Sequence, residues 1–289
     1  MQQSSKHSFL LSPTLFRSLM SDSFVLYRYD PSYAAAVVFT IGFLVTGLGH
    51  AWQATKSGSR FMTPFIIGIA FETLGYALRA VSAKQTPNWS VAPYAGQSLL
   101  LLLGPSLLAA SVYMILGRLI RLVDGDTRSP IRPAKLTKIF VTGDVLSFLF
   151  QSGGGGILAQ AKTPSKVKLG ERMIIIGLFV QIIFFGVFMA VSAVFHRQIR
   201  ERPTEKSIGL AVPWERLLMV LYAVSALIMV RSIYRVAEYI QGSQGSLQGH
   251  EAFIYVFDAT LMLLGCLALN ICHPSQVLQD KGLYDEPLV

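Results

Sequence analysis

Residues 173–193 read MIIIGLFVQIIFFGVFMAVSA, a run in which Gln181 is the one polar side chain of consequence. A helix rises 1.5 Å per residue, so about 20 such residues cross the roughly 30 Å of hydrocarbon in a bilayer. Stretches of the same character lie on either side. Phe39–Val45 and Leu99–Leu103 are almost purely apolar. Read outward from these anchors, the sequence predicts spans at 33–54, 61–83, 94–120, 136–160, 171–196, 214–240 and 250–272. The expected fold is an all-α integral membrane bundle of seven transmembrane helices. The fourth span is the weakest, because Asp144, Gln151 and the Gly153–Gly156 run interrupt it. Its alternative is an interfacial or re-entrant segment.

Composition agrees. Of the 289 residues 52% are hydrophobic and 14% charged, with a mean hydropathy of +0.50. Soluble domains carry about 25% charged residues. The expected organisation is an N-terminal tail at 1–31, a membrane domain at 32–275 and a C-terminal tail at 276–289, with no room for a second soluble domain. Residues 1–31 hold Lys6, Arg17, Arg28 and two prolines without a sustained apolar stretch, so a cleavable signal is not expected.

A net charge of +9 would suggest nucleic acid to a soluble protein. Here the basic residues sit mainly in loops, where membrane lipids are the expected partner and nucleic acid is not. With the N-terminus outside, segments 55–60, 121–135, 197–213 and 273–289 are cytoplasmic and hold eleven Lys and Arg. The outer tail and loops hold seven. That bias predicts an outside N-terminus and a cytoplasmic C-terminus. Asn88-Trp89-Ser90 is a glycosylation sequon in an outer loop, close to the membrane on both sides. Cys266 and Cys272 provide neither a disulfide framework nor metal-ligand spacing.

Four predicted spans carry polar residues at a seven-residue spacing. Glu72 and Arg79 lie in the second, and Asp144 and Gln151 in the fourth. Arg231, Arg235 and Glu238 lie in the sixth, Glu251 and Asp258 in the seventh. Seven residues advance a helix by about two turns, so each set shares one face. Intramembrane charge is costly and usually faces the bundle interior or a water-filled cavity. With Gln97 of the third span, these stripes predict a polar cavity in the outer half that binds a substrate. The competing reading is interhelical pairing, Glu72 with Arg235 or Asp258 with Arg231. Gly104-Pro105 predicts a kink that frees a carbonyl in the third span. The Gly153–Gly156 run has no following Lys-Ser or Lys-Thr, so nucleotide binding is rejected in favour of close packing or local unwinding.

Catalysis is not expected. His7, His50, His196, His250 and His273 are scattered, no three ligands converge on a metal, and no nucleophile elbow occurs. Neither a metal nor a cofactor is implied.

An ordered series of short motifs runs through residues 29–275. It comprises Tyr29-x-Pro31-Ser32, Glu72-x-x-Gly75-Tyr76-x-x-Arg79, and Gln97 followed by Pro105 and Tyr113-x-x-Leu116-Gly117-Arg118. It continues with Asp144-x-x-Ser147-x-x-x-Gln151-x-x-Gly154-Gly155-Gly156, Gly177-x-x-x-Gln181, and Arg231-x-x-Tyr234-Arg235-x-x-Glu238. It ends with His250-Glu251-x-x-x-Tyr255-x-x-Asp258 and His273-Pro274. With these motifs the chain resembles the fungal lipid-translocating exporter family, the group named for resistance to aminocholesterol, which includes a sphingoid-base exporter and a protoporphyrin transporter. The resemblance implies a fungal source, seven helices, and a plasma-membrane or endomembrane role in moving lipid-like molecules or resisting toxic ones. The expected function is transport of an amphiphilic small molecule without an intrinsic ATPase. Glu72, Asp144 and Asp258 suit a cationic amine, whereas Arg79, Arg231 and Arg235 suit a phosphate or carboxylate. The rival from another class is a seven-helix sensor of a lipid-like ligand, with the basic loop 197–206 as its partner contact.

Overall fold

The computed structural model describes residues 27–161, 163–241 and 245–278. Seven long helical segments dominate them, and no strand occurs among the described residues. They are α1 (Tyr33–Ser57), α2 (Thr63–Lys84), α3 (Val91–Leu122), α4 (Pro133–Ala159), α5 (Pro164–Glu201), α6 (Trp214–Ile240) and α7. The last, α7, is continuous through Ala252–Ile254, a π-helical turn at Tyr255–Ala259 and Thr260–Ile271. Helix ends carry the expected punctuation. The Ser32 hydroxyl caps α1 by accepting from the Ala35 N–H, and α1 stops at Gly58, whose φ of 69° is open to a residue without a Cβ. Proline stands in the first turn of α2, α4 and α5, where its missing N–H has no partner to lose.

Six of the segments are long and apolar enough to cross a membrane: Tyr33–Ser57, Arg60–Lys84, Val91–Leu122, Pro164–Glu201, Trp214–Ile240 and Ala252–Gln276. The chain is a multi-pass helical membrane protein. The exception is α4, the segment the sequence marks as weakest. Its 27 residues reach about 40 Å, but Asp144, Gln151 and five glycines dilute its apolar character. The glycine run does not unwind, because α4 continues through it to Ala159.

Consecutive helices run antiparallel, as paired contacts record. Phe43 of α1 stacks on Tyr76 of α2 at 5.6 Å, and Gly75 of α2 abuts Leu101 of α3. Gly154 of α4 abuts the Gly170 carbonyl of α5, and Tyr222 of α6 donates to the Ser192 carbonyl of α5 at 2.9 Å. The first and last helices lie side by side and parallel. There His50 Nε2 meets the Cys266 carbonyl at 3.0 Å and Gln53 donates to the Asn270 carbonyl at 3.0 Å. Large apolar side chains such as Val38, Leu48, Trp52, Ile183 and Ile271 point outward, while Arg79 and Arg231 are among the largest fully buried side chains. That inversion suits lipid as the surrounding solvent.

One boundary differs from the sequence reading. The loop expected at 161–170 is short, because α5 already begins at Pro164 and carries Lys166 and Lys168 on its first turns. Tyr27, ahead of α1, is buried, and Val277 and Leu278, beyond α7, pack into the core. Residues 1–26 and 279–289, with Lys6, Arg17 and Lys281, and likewise Lys162, lie outside the described residues.

Candidate functional site

Pro105 has no N–H, so the Leu101 carbonyl one turn earlier in α3 loses its helical donor. The Arg231 guanidinium of α6 supplies the replacement, donating from Nη2 to Leu101 O at 2.8 Å. Its Nε pairs with Asp258 of α7. Arg231 and Asp258 are each 2% exposed, so one buried ion pair ties three helices together through the proline-freed carbonyl. Asp258 lies inside the π turn, as does Tyr255. Such turns re-aim side chains out of α-helical register and recur at functional positions. Glu72 of α2 packs on the neighbouring Gly104, where an added Cβ would lie 2.8 Å from its Oε1. Glu72 forms no ion pair among the described residues, and its Oε1 accepts no hydrogen bond.

Towards the start of α1 a second arginine is caged. Arg79 of α2 donates to Glu251 Oε1 at 2.8 Å, to the Tyr29 hydroxyl at 2.8 Å and to the Tyr255 hydroxyl at 3.1 Å. The rings of Tyr27, Tyr29 and Tyr255 lie 5.4–5.8 Å from its guanidinium carbon, within cation–π range. Glu251 also accepts from the Ser32 N–H, at 3.0 and 2.8 Å to its two oxygens, which ties the start of α1 to α7. Burial pushes the Tyr29 phenol above its ordinary value, with the Arg79 charge opposing, so the phenol stays protonated in the cage. Gln97 of α3 is buried beside Tyr27. Arg235 turns to its own helix instead, donating to Glu238 at 2.8 Å and lying over Tyr239.

The polar face of α4 meets different partners. Ser147 donates to the Gly177 carbonyl of α5 at 2.8 Å, and Gln151 reaches the Gln181 side chain at 3.3 Å. Asp144, one turn deeper, is 4% exposed. The Tyr113 hydroxyl of α3 faces it, and neither carboxyl oxygen has any other partner among the described residues.

Comparison with known proteins places this arrangement. The model of a family described as "RTA1 like protein" matches residues 65–281. The chain belongs to that family. Among its relatives, "Protein RTA1" of Saccharomyces cerevisiae is 34% identical, across 89% of this chain and 87% of the relative. "Protoporphyrin uptake protein 1" of the same yeast is 35% identical, across 88% and 93%. A "Sphingoid long-chain base transporter", also from Saccharomyces cerevisiae, is 24% identical across 81% and 69%. No solved structure matches the chain. The latter two names describe uptake and transport, which places this RTA1-like protein in a membrane family of lipid-related transport.

Within this RTA1-like chain, three of the four predicted stripes meet, those of α2, α6 and α7. The α4 stripe faces α3 and α5 instead. Of the two pairings weighed, Asp258 with Arg231 forms, whereas Arg235 takes Glu238 in place of Glu72. The stripe charges are packed against protein: Glu72, Arg79, Asp144, Arg231 and Asp258 are each no more than 4% exposed. An open concavity of ≈ 480 Å³ lies elsewhere, at the end of α5, lined by His196, Arg197, Arg200 and Tyr222. A seven-residue spacing of charged residues gives no sign of the tyrosines: Tyr113 and Tyr255 sit in apolar runs and read as core, and Tyr27 and Tyr29 precede the first span. Four of the family motifs do contain Tyr29, Tyr113, Tyr255 and Ser147. For the Leu101 carbonyl the signal was present, four residues before Pro105.

Proposed function

We propose that this protein is a seven-span transporter that moves lipid-like amphiphiles carrying a cationic amine between leaflets. Its N-terminus is outside, its C-terminus is cytoplasmic, and its membrane is the plasma membrane. The observation that carries the reading is charge matching. Arg79, Arg231 and Arg235 each hold a carboxylate already, so their capacity for an anionic headgroup is occupied. Glu72 forms no ion pair of its own beside the Gly104–Pro105 interruption of α3. An ammonium headgroup supplies that partner while its tail stays in the bilayer. A relative named for sphingoid-base transport supports that choice. The substrate gradient or protons supply the energy in place of ATP.

Purified protein in vesicles, given a labelled sphingoid base on one side, tests this. Wild type transfers the label to the other leaflet, and Glu72→Gln slows transfer at least tenfold while the protein still inserts. Binding without transfer would make the protein a sensor and overturn the proposal. Transfer of an amine-free anionic analogue at an equal rate would overturn the headgroup assignment. Single cysteines at positions 128, 165, 205 and 245 test orientation: outside reagent labels 165 and 245, and labelling of 205 in intact cells reverses it.

A further inference from the structure

The α4 carboxyl differs in its surroundings from the paired carboxylates Glu238, Glu251 and Asp258. The helices packed along α4 are α3 and α5. Between 173 and 195, α5 carries no ionisable side chain, and between 95 and 117 the one ionisable residue of α3 is Tyr113. On α4 itself the same face carries Thr137, Ser147 and Gln151, none of them charged. The groups about Asp144 are therefore a phenol from α3, phenylalanines from α5 and neutral side chains of its own helix. Tyr113 is fully buried, its ring held by Phe140, Phe185 and Phe188 at centroid distances of 5.5, 5.9 and 4.5 Å. Apart from each other, neither its hydroxyl nor Asp144 Oδ1 or Oδ2 has a hydrogen-bond partner among the described residues, and Thr137 Oγ1 has none.

An ionised carboxylate here would be buried with no cation to hold it, a costly state for a charge. A headgroup does not fit without parting the helices. A Cβ on Gly143 would lie 2.4 Å from the Phe184 ring, and one on Gly177 would lie 2.7 Å from the Ser147 carbonyl. A proton needs no such space.

We propose that Asp144 is a proton-binding site that couples proton movement to transport, with the Tyr113 hydroxyl as its hydrogen-bond partner. The inference rests on the transporter reading above. In the closed bundle the carboxyl carries the proton and its O–H is directed to the phenol oxygen. When α3, α4 and α5 separate and water enters, the O–H bond breaks and the proton passes to that water. Rebinding takes a proton from water on the opposite side. No electron moves.

Infrared spectroscopy of the purified full-length protein in phosphatidylcholine vesicles tests the site without any substrate. At neutral pH a protonated-carboxyl C=O band is expected that Asp144→Asn removes and Tyr113→Phe shifts. If wild type minus Asp144→Asn contains only carboxylate bands, the site is overturned. Tyr113→Phe keeps the ring, so an unshifted band in that variant overturns the partnership even if the asparagine variant does not fold. The coupling is read in the same vesicles with a labelled sphingoid base and an imposed gradient of one pH unit. One coupled proton gives about tenfold accumulation of label, and Asp144→Asn abolishes the dependence on the gradient. Label that moves equally with and without the gradient overturns the coupling and leaves the transporter reading intact. Label that does not move at all overturns both, and the infrared result then decides the proton site alone.

Discussion

The two sides of the bundle bury charge in opposite ways. Where α2, α6 and α7 meet, Arg79 and Arg231 each hold a carboxylate from another helix, and Arg231 also satisfies a carbonyl that Pro105 leaves bare. Where α3, α4 and α5 meet, Asp144 has a phenol and phenylalanines for company and no cation. A paired charge holds helices together and is hard to move. An unpaired carboxyl adds nothing to that grip, but it can change protonation. The first side is thus a clamp, and the second keeps a titratable group free for work.

Arg231→Ala is the strongest blow to the clamp. It leaves Asp258 uncompensated and Leu101 O without a donor, at about 3–5 kcal/mol. Denaturation of the purified protein in micelles measures the loss. A loss below about 1 kcal/mol would dissolve the contrast. Next comes Glu251→Gln, which removes the charge shared by Arg79 and the Ser32 N–H. Hydrogen bonds to charged groups contribute about 1.5–3 kcal/mol, so the variant melts lower and residues 27–32 become open to protease. Unchanged proteolysis would mean the tyrosine cage alone holds that segment.

On the other side, Gly177→Ala drives a Cβ to 2.7 Å from the Ser147 carbonyl, and overpacking of this kind costs about 1–3 kcal/mol. Gly155→Ala meets nothing within 4 Å. That change gains about 0.5–1 kcal/mol from the better helix former. Equal melting of the two variants would mean that α4 and α5 are not in the close register described.

Much of this was legible in the sequence, for identifiable reasons. Apolar run length places helices, so six of the spans came within a few residues of their helices, while α5 starts seven residues before the span read at 171–196. A seven-residue spacing places side chains on one face, so every stripe member that was named faces inward. Spacing does not say which stripes meet, because that depends on the packing of all the other side chains. Hence Arg235 turned out to use Glu238, one turn along its own helix, and Asp144 to face α3 and α5. The π turn at Tyr255–Ala259 has no local sequence signature, although it sets the angles of both Tyr255 and Asp258. The glycine run was read as packing or unwinding; packing applies at Gly154, against Gly170, while Gly155 and Gly156 have open space.

The contrast between clamp and free carboxyl is tested most directly by Asp144→Asn, measured for melting and for transfer of a labelled sphingoid base on the same preparation. The substitution exchanges a neutral carboxyl for a neutral amide of nearly the same shape. Stability should therefore stay within about 0.5 kcal/mol of wild type, while gradient-driven transfer is lost. A melting loss as large as that of Arg231→Ala, with gradient-driven transfer retained, would show that Asp144 is one more structural group and contradict the account.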